Sequence, residues 1–211
     1  DRPARNEVLT APTPTEKYTT IDDLPANMAL LPAVDDYPID VSIRWSGREC
    51  RDYTTPNKNR TTDIGPLAMD LTPVTNAQYE AFLTATGYTP THETNFLEQF
   101  DESGQPPIDK ADHPVTWVSL DDARAYAAWA GKRLPTEDEW MYAAGGPNRN
   151  AWPWGASDDP TRRNGAENDG SGPDGNGYPL GGTSPVMRYD GTGGYGDGRS
   201  PFGLYDMCGN V

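Results

Sequence analysis

The 211-residue sequence predicts an α+β fold built from short helices, small sheets and long ordered loops. Capping signals mark three helices in the middle third, and an earlier segment alternates apolar and polar residues as a half-buried strand does. The chain also contains 22 Gly and 21 Pro, a composition that excludes a helix bundle or a coiled coil. Six Trp and eleven Tyr supply large apolar groups for a core.

Each of the three helices begins at a Ser or Thr that is followed by polar or acidic residues in the first turn. These N-cap residues are Thr75, Ser119 and Thr136. The first helix is expected to end at Gly87 and the second at Gly131, because glycine adopts the left-handed conformation that ends helices.

Strands are predicted over residues 38–45, which alternate Ile, Val, Ile and Trp with polar neighbours, and over the short apolar run 114–118. Residues 1–25 show no apolar periodicity, and we interpret them as an extended tail or linker. Residues 26–211 are expected to form a single domain.

The charge balance of 32 acidic against 17 basic side chains gives a net charge of −15. Such an acidic chain repels phosphate backbones, so we expect no nucleic-acid partner. No apolar run approaches the roughly 20 residues of a membrane span. The acidity favours an extracellular or periplasmic, secreted protein, and the two cysteines, Cys50 and Cys208, are either one disulfide or two thiols.

Residues 145–203 contain 16 glycines, a composition typical of linkers, but they also contain aromatic residues that need to be packed. These aromatic residues are Trp152, Trp154, Tyr178, Tyr189 and Tyr195. We therefore expect ordered loops here. The alternation of Asp, Asn and Gly supplies the oxygen ligands that a calcium loop needs, but the local spacing alone favours turn chemistry, because no EF-hand pattern of Asp, Asn and a terminal Glu is present.

Five strings occur in a fixed order along the second two thirds of the chain. They are VTNAQYEAFLTATGY, HPVTWVSLDDARAYAAWAGKRLPTEDEWMYAA, WPWG, TSPV and SPFGLYDMCGNV. Together they resemble the formylglycine-generating-enzyme family, also called the sulfatase-modifying factor domain, over residues 74–211.

The resemblance implies a variant C-type-lectin-like fold with structural calcium. The residues that match the family's calcium ligands, by side-chain or backbone oxygen, are Asn164, Gly165, Asn176 and Tyr178 for one ion and Asp206, Gly209 and Val211 for a second. In the family a glutamate beyond the position of Val211 completes the second site. We therefore expect the Asn164 site to bind calcium more readily than the Asp206 site.

The family's paired active-site cysteines belong to a C-terminal part that follows the position of Val211. Neither Cys50 nor Cys208 matches them, so no catalytic residue is assigned, and copper is expected only if a cysteine pair exists beyond Val211. The chain is then either a fragment or a non-catalytic scaffold.

Two kinds of function follow from the resemblance. The first is a relation to oxidases that convert a substrate cysteine to formylglycine, with a protein or peptide as substrate. The alternative is a non-catalytic C-type-lectin-like binding or display protein of the retroelement variable-protein type, or a structural component of an extracellular assembly. The tryptophans at positions 129, 140, 152 and 154 are expected to pack in the core rather than to form a ligand-stacking surface.

Overall fold

The computed structural model describes residues 24–40, 59–165 and 182–210. Its strands are β1 (Met28–Leu31), β2 (Val34–Asp40), β3 (Asn59–Ile64) and β4 (Leu67–Asp70), and its helices are α1 (Asn76–Thr86), α2 (Leu120–Trp129) and α3 (Glu137–Gly145). A short 3₁₀ helix covers Pro160–Arg162. None of the helices in the described ranges has the length and apolar character of a membrane span.

The described residues form two compact units. The helical unit, residues 74–134, contains α1 and α2. The sheet unit consists of the described segments on either side of it in sequence, and it contains the four strands and α3.

The predicted helix caps are confirmed. Thr75 Oγ1 accepts from the Gln78 amide at 3.3 Å while Gln78 Oε1 accepts from the Thr75 amide at 2.8 Å, and Ser119 and Thr136 form equivalent capping boxes. Gly87 is left-handed, with φ +61°, and its amide donates to the carbonyl of Leu83. These three helices form because the signals that start and stop them are local in sequence.

The strand prediction is confirmed in one place and wrong in another. β2 covers residues 38–40 of the strand predicted over 38–45, and the rest of that prediction lies outside the described residues. Residues 114–118 form no strand beyond an isolated bridge between Pro114 and Thr75. Trp117 adopts φ +58°, which breaks the extended backbone, and its carbonyl accepts from the Leu97 amide at 2.9 Å.

The core of the sheet unit lies where α3 packs against the two antiparallel pairs, β1–β4 and β2–β3. Its buried members are Leu31, Tyr37, Ile39, Ile64, Tyr142, Ala143, Leu204 and Met207. The Tyr37 and Tyr142 rings meet edge to face at 4.9 Å, and the Tyr37 hydroxyl donates to the carbonyl of Gly146 at 3.0 Å. An ion pair between Arg60 on β3 and Asp138 on α3 also joins the strand to the helix.

The helical unit is built around aromatic rings, with Tyr79 and Phe82 fully buried. The second capping box extends into this core because Asp122 is only 2% exposed. Asp122 Oδ1 accepts from the Tyr88 hydroxyl and Oδ2 accepts from the Ser119 amide, both at 2.7 Å. Desolvation by burial raises the pKa of both Tyr79 and Tyr88, and the nearby Asp122 carboxylate adds to it.

We expect Tyr79→Phe and Tyr88→Phe to change stability in opposite directions. The buried Tyr79 hydroxyl has no hydrogen-bond partner among the described residues, so its removal should raise the free energy of unfolding by about 1 kcal/mol. Tyr88→Phe removes a donor from a buried carboxylate and should lower that free energy by about 1.5–3 kcal/mol. Urea unfolding of the two variants and the wild type measures both changes. A destabilised Tyr79→Phe variant would show that its hydroxyl is satisfied in solution.

Candidate metal centre

Three segments of the sheet unit meet at the residues that the sequence analysis assigned to calcium. The carbonyl of Asn164 accepts from the Asn210 amide at 2.9 Å. The Asn164 side chain donates from Nδ2 to the carbonyl of Gly182 at 2.8 Å. The loop of Asn164 is therefore bonded directly to the loop that follows Asp206, and these loops carry the described residues of the two predicted ligand sets.

Asn210 holds these segments together. Its Oδ1 accepts from the Ser184 amide at 2.7 Å, from Ser184 Oγ at 3.1 Å and from Asn164 Nδ2 at 3.2 Å. Its Nδ2 donates to the carbonyl of Ser184 at 3.1 Å. Asn164, Ser184 and Asn210 are all buried, so this network fixes the loops away from water.

The two polar atoms of the Asn164 side-chain amide differ in their described partners. Its Nδ2 donates to two carbonyl oxygens, those of Gly182 and of the Asn210 side chain, which uses both N–H bonds. No described residue donates to its Oδ1, the atom that ligates hard cations.

Gly209 brings the two backbone segments into close approach. Its φ is +87°, and a Cβ at this position would lie 2.3 Å from the carbonyl oxygen of Asn164. Only glycine combines this conformation with this contact. The resemblance had assigned Gly209 as a backbone ligand, and the geometry gives it a second, steric role.

Asp206 carries the negative charge of this region. Its Oδ2 is enclosed and has no hydrogen-bond partner among the described residues. Desolvation raises the pKa of Asp206 to about 6, although hydrogen bonds from the Asn210 side chain and the Met187 amide act in the opposite direction. An enclosed carboxylate oxygen without a donor is the type of atom that a cation stabilises.

The predicted ligands Asn164, Gly165, Asp206 and Gly209 all lie in these segments, whereas Asn176, Tyr178 and Val211 lie outside the described residues. Within the described ranges, no three His, Cys, Asp or Glu side chains are grouped to hold a metal. The candidate centre therefore offers one carboxylate with amide and backbone oxygens. Such a set suits calcium rather than zinc or copper.

Sequence reasoning missed Ser184 and Asn210. The Gly-Asn pair at 209–210 signals a left-handed turn, and Asn210 does adopt φ +80°. Nothing local indicates that the Asn210 amide reaches Asn164, which is 46 residues away in sequence. Cys208, in the same segment, is buried.

Residues 40–211 match the family model for the Sulfatase-modifying factor enzyme 1-like domain. The chain belongs to this family. The match extends beyond the strings that suggested it, since it begins near the end of β2.

Two relatives illustrate the range of this family. The chain is 33% identical over 209 residues to the formylglycine-generating enzyme of Mycobacterium tuberculosis, which covers 72% of the chain and 63% of that protein. It is 40% identical over 104 residues to the inactive C-alpha-formylglycine-generating enzyme 2 of Bos taurus, which covers 49% of the chain and 32% of that protein. The chain thus spans less than two thirds of the length of either relative.

The fold of this sulfatase-modifying factor domain is similar to that of Treponema denticola variable protein 1. The TM-score is 0.53 at 17% identity, and the match covers 87% of this chain and 70% of the other. The predicted α+β fold of the variant C-type-lectin-like class is confirmed.

Proposed function

We propose that this chain is a calcium-stabilised scaffold of the formylglycine-generating-enzyme type that has no cysteine-oxidising activity of its own. The observation that carries the proposal is the enclosed Oδ2 of Asp206, which has no donor among the described residues. It lies in the segment whose backbone is bonded to Asn164. The loops are therefore arranged to receive a positive charge.

Four described residues would contribute ligands to the two sites. Asn164 would contribute its side-chain Oδ1 and Gly165 its backbone oxygen to one ion, and Asp206 would contribute its carboxylate and Gly209 its backbone oxygen to the second. Bound calcium would neutralise the enclosed carboxylate and add a cross-link between two segments already joined by the Asn210 amide. Its role would be stability, because the described atoms offered to it are carboxylate, amide and backbone oxygens.

Removal of calcium is expected to lower the melting temperature. At a hundredfold excess over its dissociation constant, a ligand of the native state stabilises it by about 2.7 kcal/mol, which corresponds to roughly 5–10 °C for a chain of this size. The test compares melting in calcium with melting in chelator at equal ionic strength, with magnesium as the control ion. Identical melting temperatures in calcium and in chelator would mean that the Asp, Asn and Gly residues of these loops form turns only, and would contradict the proposed calcium centre.

The chain is expected to leave a cysteine-containing sulfatase-type peptide unchanged. Copper(I) chemistry on cysteine needs soft thiolate ligands close together. Cys208 is buried, and no second cysteine is present among the described residues. Peptide, copper and oxygen are incubated with the chain, and the product is analysed by mass spectrometry. The Mycobacterium tuberculosis enzyme is the positive control, and formylglycine formed by the chain would contradict the proposal.

The second candidate function is non-catalytic binding of a protein or peptide at an extracellular or periplasmic location. It is supported by the 40% identity to a relative named as inactive and by the fold shared with a variable protein. The encoded sequence after Val211 discriminates between binding or display and an oxidase whose active-site cysteines lie beyond that residue. Two closely spaced cysteines there would favour the oxidase, and a series of aromatic and polar positions would favour binding or display.

A further inference from the structure

The sheet unit has a second cleft that shares no residue with the candidate metal centre. Its volume is about 240 Å³, and it is lined by Asn150, Trp154, Arg162, Asp197, Arg199 and Ser200, together with two prolines. Sites for drug-sized ligands measure about 300–1,000 Å³, so this cleft fits something smaller.

One wall of the cleft is a fixed aromatic ring. Trp154 stacks on Trp152 with ring centroids 5.6 Å apart and planes 17° apart, and its Nε1 donates to the carbonyl of Ser157 at 3.0 Å. The Arg163 guanidinium covers Trp152 at 4.6 Å. The prediction of core packing is wrong for Trp129 and Trp140, which are 44% and 36% exposed, and Trp154 remains partly exposed. Since its ring is already held in place, little conformational entropy would be lost on stacking a ligand against it.

Another wall carries two guanidinium groups whose charges are compensated. Arg162 donates from Nε to Asp159 and from Nη1 to the carbonyl of Asp197, both at 2.8 Å, which leaves Nη2 without a described partner. Arg199 donates to both carboxylate oxygens of Asp197, at 2.9 and 2.7 Å. This wall therefore presents N–H donors and carboxylate lone pairs with no net charge.

Ser200 adds a hydroxyl to the same cleft. It is buried, and its Oγ accepts from the amides of Phe202 and Leu204, both at 3.3 Å. Both of those contacts use the oxygen as acceptor, so the hydroxyl hydrogen is available to donate.

These walls select among ligand classes. An anion is disfavoured, because both arginines are already compensated by carboxylates and the chain has a net charge of −15. An apolar ligand is disfavoured as well, because it would desolvate two guanidinium groups without replacing their hydrogen bonds. The ligand that fits has a flat apolar face for Trp154 and hydroxyl groups that both donate and accept. We propose that the cleft binds one uncharged sugar ring, stacked on Trp154 and hydrogen-bonded to Arg162, Asp197 and Ser200. Binding is independent of calcium, because no residue of the metal centre lines the cleft.

The test is a titration of the ¹⁵N-labelled chain with the methyl glycosides of glucose, galactose and mannose. The six tryptophan indole signals are assigned by single Trp→Phe variants. We expect saturable shifts of the Trp154 indole and the Arg162 Nε–H signals with at least one glycoside, in chelator as well as in calcium. Trp154→Leu should weaken binding about tenfold or more, whereas Trp154→Phe, which keeps a stacking ring, should retain it within about threefold. Trp117→Leu is the matched control, because Trp117 is 54% exposed but belongs to the helical unit.

Three results would overturn the proposal. The first is the absence of a saturable Trp154 shift with every glycoside. The second is a shift with sodium phosphate or sodium acetate but with no glycoside, which would make the cleft an anion site. The third is glycoside binding that survives Trp154→Leu in a variant whose other indole signals are unchanged. None of these results depends on whether calcium occupies the metal centre, so the proposed function is tested separately.

Discussion

Replacing Gly209 by alanine is expected to lower the free energy of unfolding by about 3 kcal/mol or more. Two costs add at this position. The backbone is left-handed, with φ +87°, which costs an L-residue roughly 1–2 kcal/mol. The added Cβ would also lie 2.3 Å from the carbonyl oxygen of Asn164. That carbonyl cannot withdraw freely, because it accepts the Asn210 amide at 2.9 Å.

Gly203→Ala is the matched control for this experiment. Gly203 has nearly the same backbone conformation, with φ +84°, but a Cβ there would meet nothing within 4 Å. Its replacement should cost only the roughly 1–2 kcal/mol of conformational strain. Urea unfolding monitored by circular dichroism gives both values. If the two variants are equally destabilised, the close approach of Gly209 to Asn164 does not exist in solution.

The parts of the fold that were predictable are those whose causes are local. The caps at Thr75, Ser119 and Thr136 each satisfy their amides within three residues, so the sequence predicts them directly. The strand predicted at 114–118 failed because Trp117 takes a left-handed conformation, with its carbonyl bonded to Leu97. An apolar pattern alone does not report such a long-range contact.

The candidate site was predictable to a smaller extent. The resemblance identified Asn164, Asp206 and Gly209, but no pattern of spacing indicated that the loop of Asn164 is bonded to the loop that follows Asp206. That arrangement depends on the Asn210 amide, whose partners are 26 and 46 residues away. The glycine-rich composition was also misleading by itself, since Tyr189 and Tyr195 are buried and their rings meet edge to face at 5.3 Å. Within the described part of this glycine-rich stretch, the aromatic residues were the better guide to packing.

Asp206→Asn is expected to have opposite effects on stability in chelator and in calcium. In chelator, Oδ2 of Asp206 in the wild type stays enclosed and accepts no hydrogen bond from a described residue. The neutral amide avoids the cost of that buried charge, so the variant should be more stable than the wild type by roughly 1–3 kcal/mol. In calcium the wild type should gain stability that the variant lacks, because calcium affinity depends on the charge of its ligands.

Thermal melting of the wild type and three variants, each in calcium and in chelator, tests this reversal. Asp190→Asn is the control for removing an acidic side chain. Hydrogen bonds from Thr192 lower the pKa of Asp190, and Asp190 is not one of the predicted calcium ligands. It should keep the full response to calcium. Asn164→Ala should lose the response, and it should also melt lower in chelator because its bonds to Gly182 and Asn210 are removed. If Asp206→Asn melts below the wild type in chelator, the Asp206 carboxylate already has hydrogen-bond partners in solution without a metal. The reason for placing a cation beside Asp206 would then be lost, whatever the response at Asn164.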